Sequence, residues 1–203
     1  MGAPRLPGLD VAALCDPDDR TLADLSSFFV GSFWRDKAGG ALSEQQASAL
    51  MDFQLGEFKA FFFLSRESTT QRSLIRATEH NQTVGMTCVE AARVTVSGGG
   101  GRKEDRRSAV RPVLSNLVVA EGARRKGVAE RLVGEAEVTA MSWGFDSCYL
   151  LVCADNAPAV SLYKKLGFAV AFEDDEAKTS EVEQDGTVKS VPAAVLVMRK
   201  SLK

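Results

Sequence analysis

Apolar residues recur at helical spacing from Thr21 to Asp36, with Leu22, Leu25, Phe28, Phe29 and Phe33 on one side and Thr21 as the cap. Gly39-Gly40 interrupts that run. Ser43 with Gln46 three residues on forms a capping box. It opens a second helix predicted to reach about Leu64, with Leu50, Phe53, Phe58 and Phe61 on its apolar face. The aromatic density between Phe28 and Phe63 reads as core packing in preference to a substrate groove.

From Ser73 onward the period shortens to that of strands. Ser73 to His80 and Thr83 to Val96 read as two strands joined by a turn at Asn81-Gln82. The glycines 98–101 and the alternating charges after them read as a flexible loop over about residues 97–109. Val110 to Val119 returns as a strand, and a helix from about Lys126 to Trp143 follows, closed by Gly144. Cys148 to Cys153 is nearly continuous in apolar residues, as in a strand buried on both faces. A short helix from Asn156 or Ala157 to Leu166 ends at Gly167, and Phe168 to Phe172 is a strand. Glu173 to Thr187 reads as an acidic loop, with a last strand over Pro192 to Lys200. Residues 1–19 read as irregular, which leaves one domain over 20–203. The crossover from Val113 to Cys153 requires a parallel strand pair. The expected fold is therefore α/β (α+β), a mixed and mostly antiparallel sheet with helices on both faces.

The chain has 203 residues and a net charge of −2, enough for one buried core and without the global basic field of a nucleic-acid binder. Its four cysteines include no CxxC pair, and its single histidine, His80, lies beside a turn, so no metal site is expected. No apolar run approaches the roughly 18–20 residues that span a bilayer. The chain start is too short and too proline-rich for a signal peptide, and a removed targeting peptide would leave no trace.

Two linked motifs carry the chemistry. Leu117-Val118-Val119 runs into Arg124-Arg125-Lys126-Gly127-Val128-Ala129, a strand entering a basic, glycine-containing turn at the start of a helix. Helix N-termini expose unpaired N–H groups and partial positive charge, which suits a pyrophosphate. Gly127 allows a ligand close to the backbone. The second motif places Asn156, Ala159, Leu162 and Tyr163 on a capped helix ending at Gly167-Phe168. Together they read as a site for an acyl-CoA.

These residues resemble the GCN5-related N-acetyltransferases. That family's signature, Arg/Gln-x-x-Gly-x-Gly/Ala after a strand, stands here at Arg124 to Ala129. Its downstream signature, Asn-x-x-Ala-x-x-Leu-Tyr-x-x-x-Gly-Phe, stands at Asn156 to Phe168. Ser115-Asn116-Leu117-Val118-Val119 and Leu196-Val197-Met198-Arg199-Lys200 resemble the plant and algal plastid branch, whose members acetylate protein N-termini and lysines.

The resemblance implies acetyl-CoA as cosubstrate and direct acetyl transfer to a primary amine. It implies a parallel pair, strands 113–119 and 148–153, splayed to admit the pantetheine against the backbone of Leu117 and Val119. Backbone N–H groups of Arg125 to Ala129 would hold the pyrophosphate, with charge added by Arg124, Arg125 and Lys126. Asn156 and Ala159 would contact the cofactor, and a backbone N–H near Val118 would stabilise the oxyanion. Tyr163 is the candidate general acid for the departing thiolate. For the base, Glu90, Tyr149, Ser115 or Asn116 holding a water, and Glu79 all stay open, as does solvent itself. Protein or peptide amines are the leading acceptors, in a plastid or otherwise in the cytoplasm. A small-amine acceptor, or a CoA-binding module without turnover, remains the alternative.

Overall fold

A seven-stranded sheet in the order β1-β2-β3-β4-β5-β9-β6 organises the chain. The computed structural model describes residues 8–14, 17–63, 71–97 and 106–203. The elements are β1 (Leu9–Leu14), α1 (Asp19–Phe29), a π-helical turn (Val30–Trp34), α2 (Arg35–Lys37) and α3 (Glu44–Phe63). Then come β2 (Arg72–Glu79), β3 (Gln82–Ser97), β4 (Arg106–Val119), α4 (Val128–Ser142), β5 (Ser147–Cys153) and α5 (Ala157–Lys165). β6 (Ala169–Asp174), β7 (Lys178–Val182), β8 (Val188–Pro192) and β9 (Val195–Ser201) complete the order. The sheet is mixed as expected: β4 and β5 are its parallel pair, and helices cover both faces.

Local signals set most of these elements. Ser43 Oγ accepts from Gln46 N–H at 3.1 Å, and Gln46 Oε1 accepts from Ser43 N–H at 3.0 Å, which is the reciprocal capping box. Asp18, not Thr21, caps α1: its Oδ1 accepts from Thr21 N–H at 2.7 Å. Phe53 is 38% exposed, so the α3 core face is carried by Leu50 and Phe58 instead. His80 and Asn81 both have positive φ, 50° and 64°, so the β2–β3 turn sits one residue earlier than expected. Two left-handed residues in a row match the twist of a tight hairpin.

Larger differences lie at the two ends. β1 pairs antiparallel with β2 from Leu9↔Glu79 to Leu14↔Leu74, so part of residues 1–19 is a sheet edge and not irregular chain. The acidic stretch does not remain a loop. β6 continues through Asp174, and β7 and β8 form a separate antiparallel hairpin. Its turn crosses to α3, where Gln46 Nε2 donates to the Glu183 carbonyl at 2.9 Å. Lys37 Nζ donates to Thr179 Oγ1 at 2.7 Å. Gly186 has φ 88°, and a Cβ there would lie 2.7 Å from Ala49 Cβ. Of the loop expected over about 97–109, residues 98–105 lie outside those described, whereas Ser97 ends β3 and residues 106–109 belong to β4, which begins at Arg106.

One core cluster lies between the sheet and α4 and α5, including Leu114, Leu132, Leu150, Tyr163 and Phe168. The second packs α1 and α3 on the other face against Leu74, Met86, Cys88 and Val118. Gly85 lets α4 settle on β3, because a Cβ there would meet Leu132 Cδ1 at 2.9 Å and Val128 Cγ1 at 3.0 Å. Both neighbours are buried. Gly85→Val is expected to destabilise the fold by about 1–3 kcal/mol, read as a lowered urea midpoint with an unchanged m-value. No described helix is long and apolar enough to cross a membrane.

Candidate acyl-CoA site

β4 and β5 pair at Val113↔Tyr149 and Leu114↔Leu150 and then part. The cause is visible on β4. The β3–β4 register slips between Met86 and Cys88, and Asn116 takes a left-handed φ of 54°. The bulge is held by Thr87 Oγ1 donating to the Ser115 carbonyl at 2.9 Å and by the Asn116 amide lying 3.8 Å from Cys88 Sγ. A bulge bends its strand and breaks the ladder locally. Ser115 to Val119 therefore runs beside β5 without bonding to it. Leu151, just past the parting, is 50% exposed.

Backbone polarity along this segment follows from one bond. Ala120 N–H donates to the Val84 carbonyl on β3 at 2.9 Å. Donor direction alternates along an extended strand, so Val118 also turns its N–H toward β3, while Leu117 and Val119 face the gap. This supports Leu117 and Val119 as the pantetheine-facing pair. Val118 itself turns its N–H into the sheet, and its side chain is 7% exposed in the second core, so the N–H groups near it that face the gap are those of Leu117 and Val119.

The turn between β4 and α4 carries Arg125 at φ 62° and Gly127 at φ 83°. Gly127 is the α4 N-cap position and gives no side-chain cap. Arg131 N–H is the first on α4 to close a helical bond, to the Gly127 carbonyl at 3.1 Å. The N–H groups of Arg125, Lys126, Gly127, Val128 and Ala129 meet no acceptor among the described residues, at a helix end carrying partial positive charge. Arg125, Lys126 and Gly127 are exposed, whereas Val128 is buried beneath them.

Arg124 departs from its expected part. Its Nε donates to the Val119 carbonyl at 3.1 Å, and its Nη2 pairs with the Asp36 carboxylate. The side chain bridges protein groups across the turn, so its charge is already matched.

Tyr163 lies in the same core cluster as Val119, Val128, Leu150 and Val152, with Leu117, Ala129 and Ala159 packed against it. Its ring stands edge-on to Phe168, centroids 5.9 Å apart. Lys200 Nζ in turn sits 5.8 Å above the Phe168 ring and pairs with Glu137 at 2.6 Å. The Tyr163 hydroxyl bonds to no described residue. Burial pushes the phenol up to about 12. The same desolvation pushes the neighbouring thiol Cys148 up to about 12. Asn156 caps α5, its Oδ1 accepting from Ala159 N–H at 3.2 Å.

The base candidates separate. Glu90 and Tyr149 share a sheet face through the row Arg72↔Glu90↔Val113↔Tyr149, and Arg72 Nε lies 3.2 Å from Glu90 Oε2. Tyr149 is packed with Val113 and Val197. Ser115 and Asn116 are taken up by the bulge, Ser115 through its carbonyl. Glu79 lies at the end of β2 opposite Leu9, two strands away from β4. Local sequence carried no sign of Arg72 and Thr87, whose partners are set by strand register.

Comparison with known proteins adds the following. Residues 42–168, more than half of the chain, match the family described as the Acetyltransferase (GNAT) family. The GCN5-related N-acetyltransferase 4, chloroplastic, of Arabidopsis thaliana is 44% identical over 55 residues, 27% of this chain and 19% of that protein. The GCN5-related N-acetyltransferase 7, chloroplastic, of the same plant is 41% identical over 58 residues, 29% of this chain and 21% of that protein. The matched segments thus span about a fifth of those relatives' length. The structure of PaiA N-acetyltransferase from Thermoplasma acidophilum in complex with coenzyme A superposes with a TM-score of 0.60 at 17% identity, covering 95% of this chain and 98% of that one. A spermidine N-acetyltransferase SpeG chimera from Vibrio cholerae and hSSAT gives 0.60 at 14% identity, covering 96% of each. At these identities the likeness to solved structures is one of fold.

Proposed function

The chain belongs to the acetyltransferase (GNAT) family, and from that premise we propose that it is an acetyl-CoA-dependent N-acetyltransferase acting on protein amines, N-terminal α-amines or lysine side chains. The observation that carries the reaction is the parting of β4 and β5 beside an uncapped α4 N-terminus, with Tyr163 in the same cluster. The acceptor class rests on the resemblance of Ser115 to Val119 and of Leu196 to Lys200 to the plastid branch, and the two chloroplastic relatives favour a plastid location.

The N–H groups of Arg125 to Ala129 take the pyrophosphate, and Arg125 and Lys126 add charge. The pantetheine lies along the gap-facing backbone of Leu117 and Val119, held between β4 and β5 as an extra strand would be. Asn156 and Ala159 fix the start of α5 at its edge. An N–H of Leu117 or Val119 donates to the thioester oxygen as the amine adds to its carbon. One such donor is typically worth about 10²–10³ in rate. As the C–N bond forms and the C–S bond breaks, Tyr163 gives its phenolic proton to the sulfur, and the second proton lost from the new amide nitrogen returns through water to the phenolate. A phenol at about 12 stays protonated until that step. A thiolate formed in the same dry cluster is raised as Cys148 is, which brings donor and acceptor together in acidity. Glu90, on the sheet face at the parting, takes the proton of the incoming ammonium through water.

The test is incubation with acetyl-CoA and a mixed library of peptides and small amines, with products read by mass spectrometry. Acetylated peptide N-termini or lysines are the expected outcome. Acetylation of small amines alone would move the acceptor to metabolites. CoA binding without any product would make the protein a CoA-responsive module.

A further inference from the structure

Two ion pairs of opposite polarity join α2 to the turn that opens α4. Arg35 Nη2 lies 3.1 Å from Glu121 Oε2, and the next residue, Asp36, holds Arg124. The Nε of the same guanidinium donates to the carbonyl of Val119, the last residue of β4. One planar fork thus fixes three elements: the end of β4, the turn, and the helix beyond the π-helical segment.

Two observations point away from a direct phosphate contact by Arg124. Its charge is matched by Asp36, as that of Glu121 is by Arg35, so the four groups sum to zero beside the turn. Meanwhile the turn holds Arg125 and Gly127 at φ 62° and 83°, a conformation that L side chains avoid, and it needs outside support to keep its N–H groups aligned. The Arg124 and Asp36 side chains are 38% and 46% exposed. At that exposure an ion pair adds little to global stability, but it does hold a shape.

We propose that Arg124 is a positioning residue, not a phosphate ligand. Through Asp36 and Val119 it fixes the turn that receives the pyrophosphate, so that acetyl-CoA affinity depends on the placement of α2. The proposal rests on the reading of residues 125–129 as the pyrophosphate cradle. Its test is calorimetric titration of CoA into the protein and its Asp36→Asn, Asp36→Glu and Arg124→Gln variants, with steady-state kinetics and melting curves alongside.

Asp36→Asn weakens CoA binding by about tenfold and raises KM for acetyl-CoA to match, while kcat at saturation changes by less than about twofold. Asp36→Glu, which keeps the carboxylate, restores most of the affinity. Arg124→Gln, whose amide still reaches the Val119 carbonyl, resembles Asp36→Asn. Melting temperatures stay with the wild type, which separates lost alignment from lost folding. The proposal is overturned if Asp36→Asn binds CoA as well as or better than the wild type, since a freed Arg124 acting on phosphate gives that result. Should the wild type itself bind no CoA, the cradle reading fails and this proposal with it.

Discussion

Tyr163→Phe is expected to lower kcat by about 10²–10⁴, the usual worth of a positioned general acid. The ring stays against Phe168 and only the hydroxyl is lost, so CoA affinity should hold within about threefold. The acid is buried and raised to about 12, so the wild type should show no alkaline fall in kcat from this group below pH 10. Single-turnover rates with saturating acetyl-CoA, together with CoA titration, check both halves. Full activity in the Phe variant would return the tyrosine to packing and leave protonation of the thiolate to solvent.

Gly127→Val is expected to act on the other side of the reaction. At φ 83° a β-branched residue is strained by about 1–2 kcal/mol, and its side chain would project from an exposed turn that has to lie against a ligand. The expected result is a rise of at least about tenfold in KM for acetyl-CoA, with a smaller drop in melting temperature than the binding loss alone would suggest. Unchanged affinity would show that the cradle lies elsewhere.

What was legible in the sequence was what neighbouring residues decide. The Ser43–Gln46 box, the Asn156 cap and the glycine turn at Gly127 depend on partners a few residues away, and the structure keeps all three. The run Cys148 to Cys153 announced a strand, which is buried on both faces as far as Leu150 and opens at Leu151, and the crossover required the parallel pair. β1 escaped because Leu9–Leu14 is a short edge strand whose weak alternation is completed only by β2. The β7–β8 hairpin escaped because its charged strands resemble a solvated loop, and what holds it in place is α3, far earlier in the chain. The Arg124–Asp36 pair is invisible for the same reason: Asp36 is 88 residues away, so no local pattern reports it. Which N–H groups around Val118 face the gap is set by register with β3 and by the left-handed Asn116, neither of which local sequence reports.

The seat of Gly186 on α3 bears on how the chain reaches this state. Val182 and Val188 pack on the second core, and the bonds that dock their hairpin join residues 137 and 142 positions apart. During synthesis the outer side of α3 is therefore left open until residues 178–192 have emerged. Contacts of such separation are slow to close, and the apolar surface waiting for them is prone to association. Chains stopped short of residue 178 should expose that surface, together with the edge of β5 that β9 covers, and collect in the insoluble fraction, even though the turn, Tyr163 and both strands of the gap have already been made.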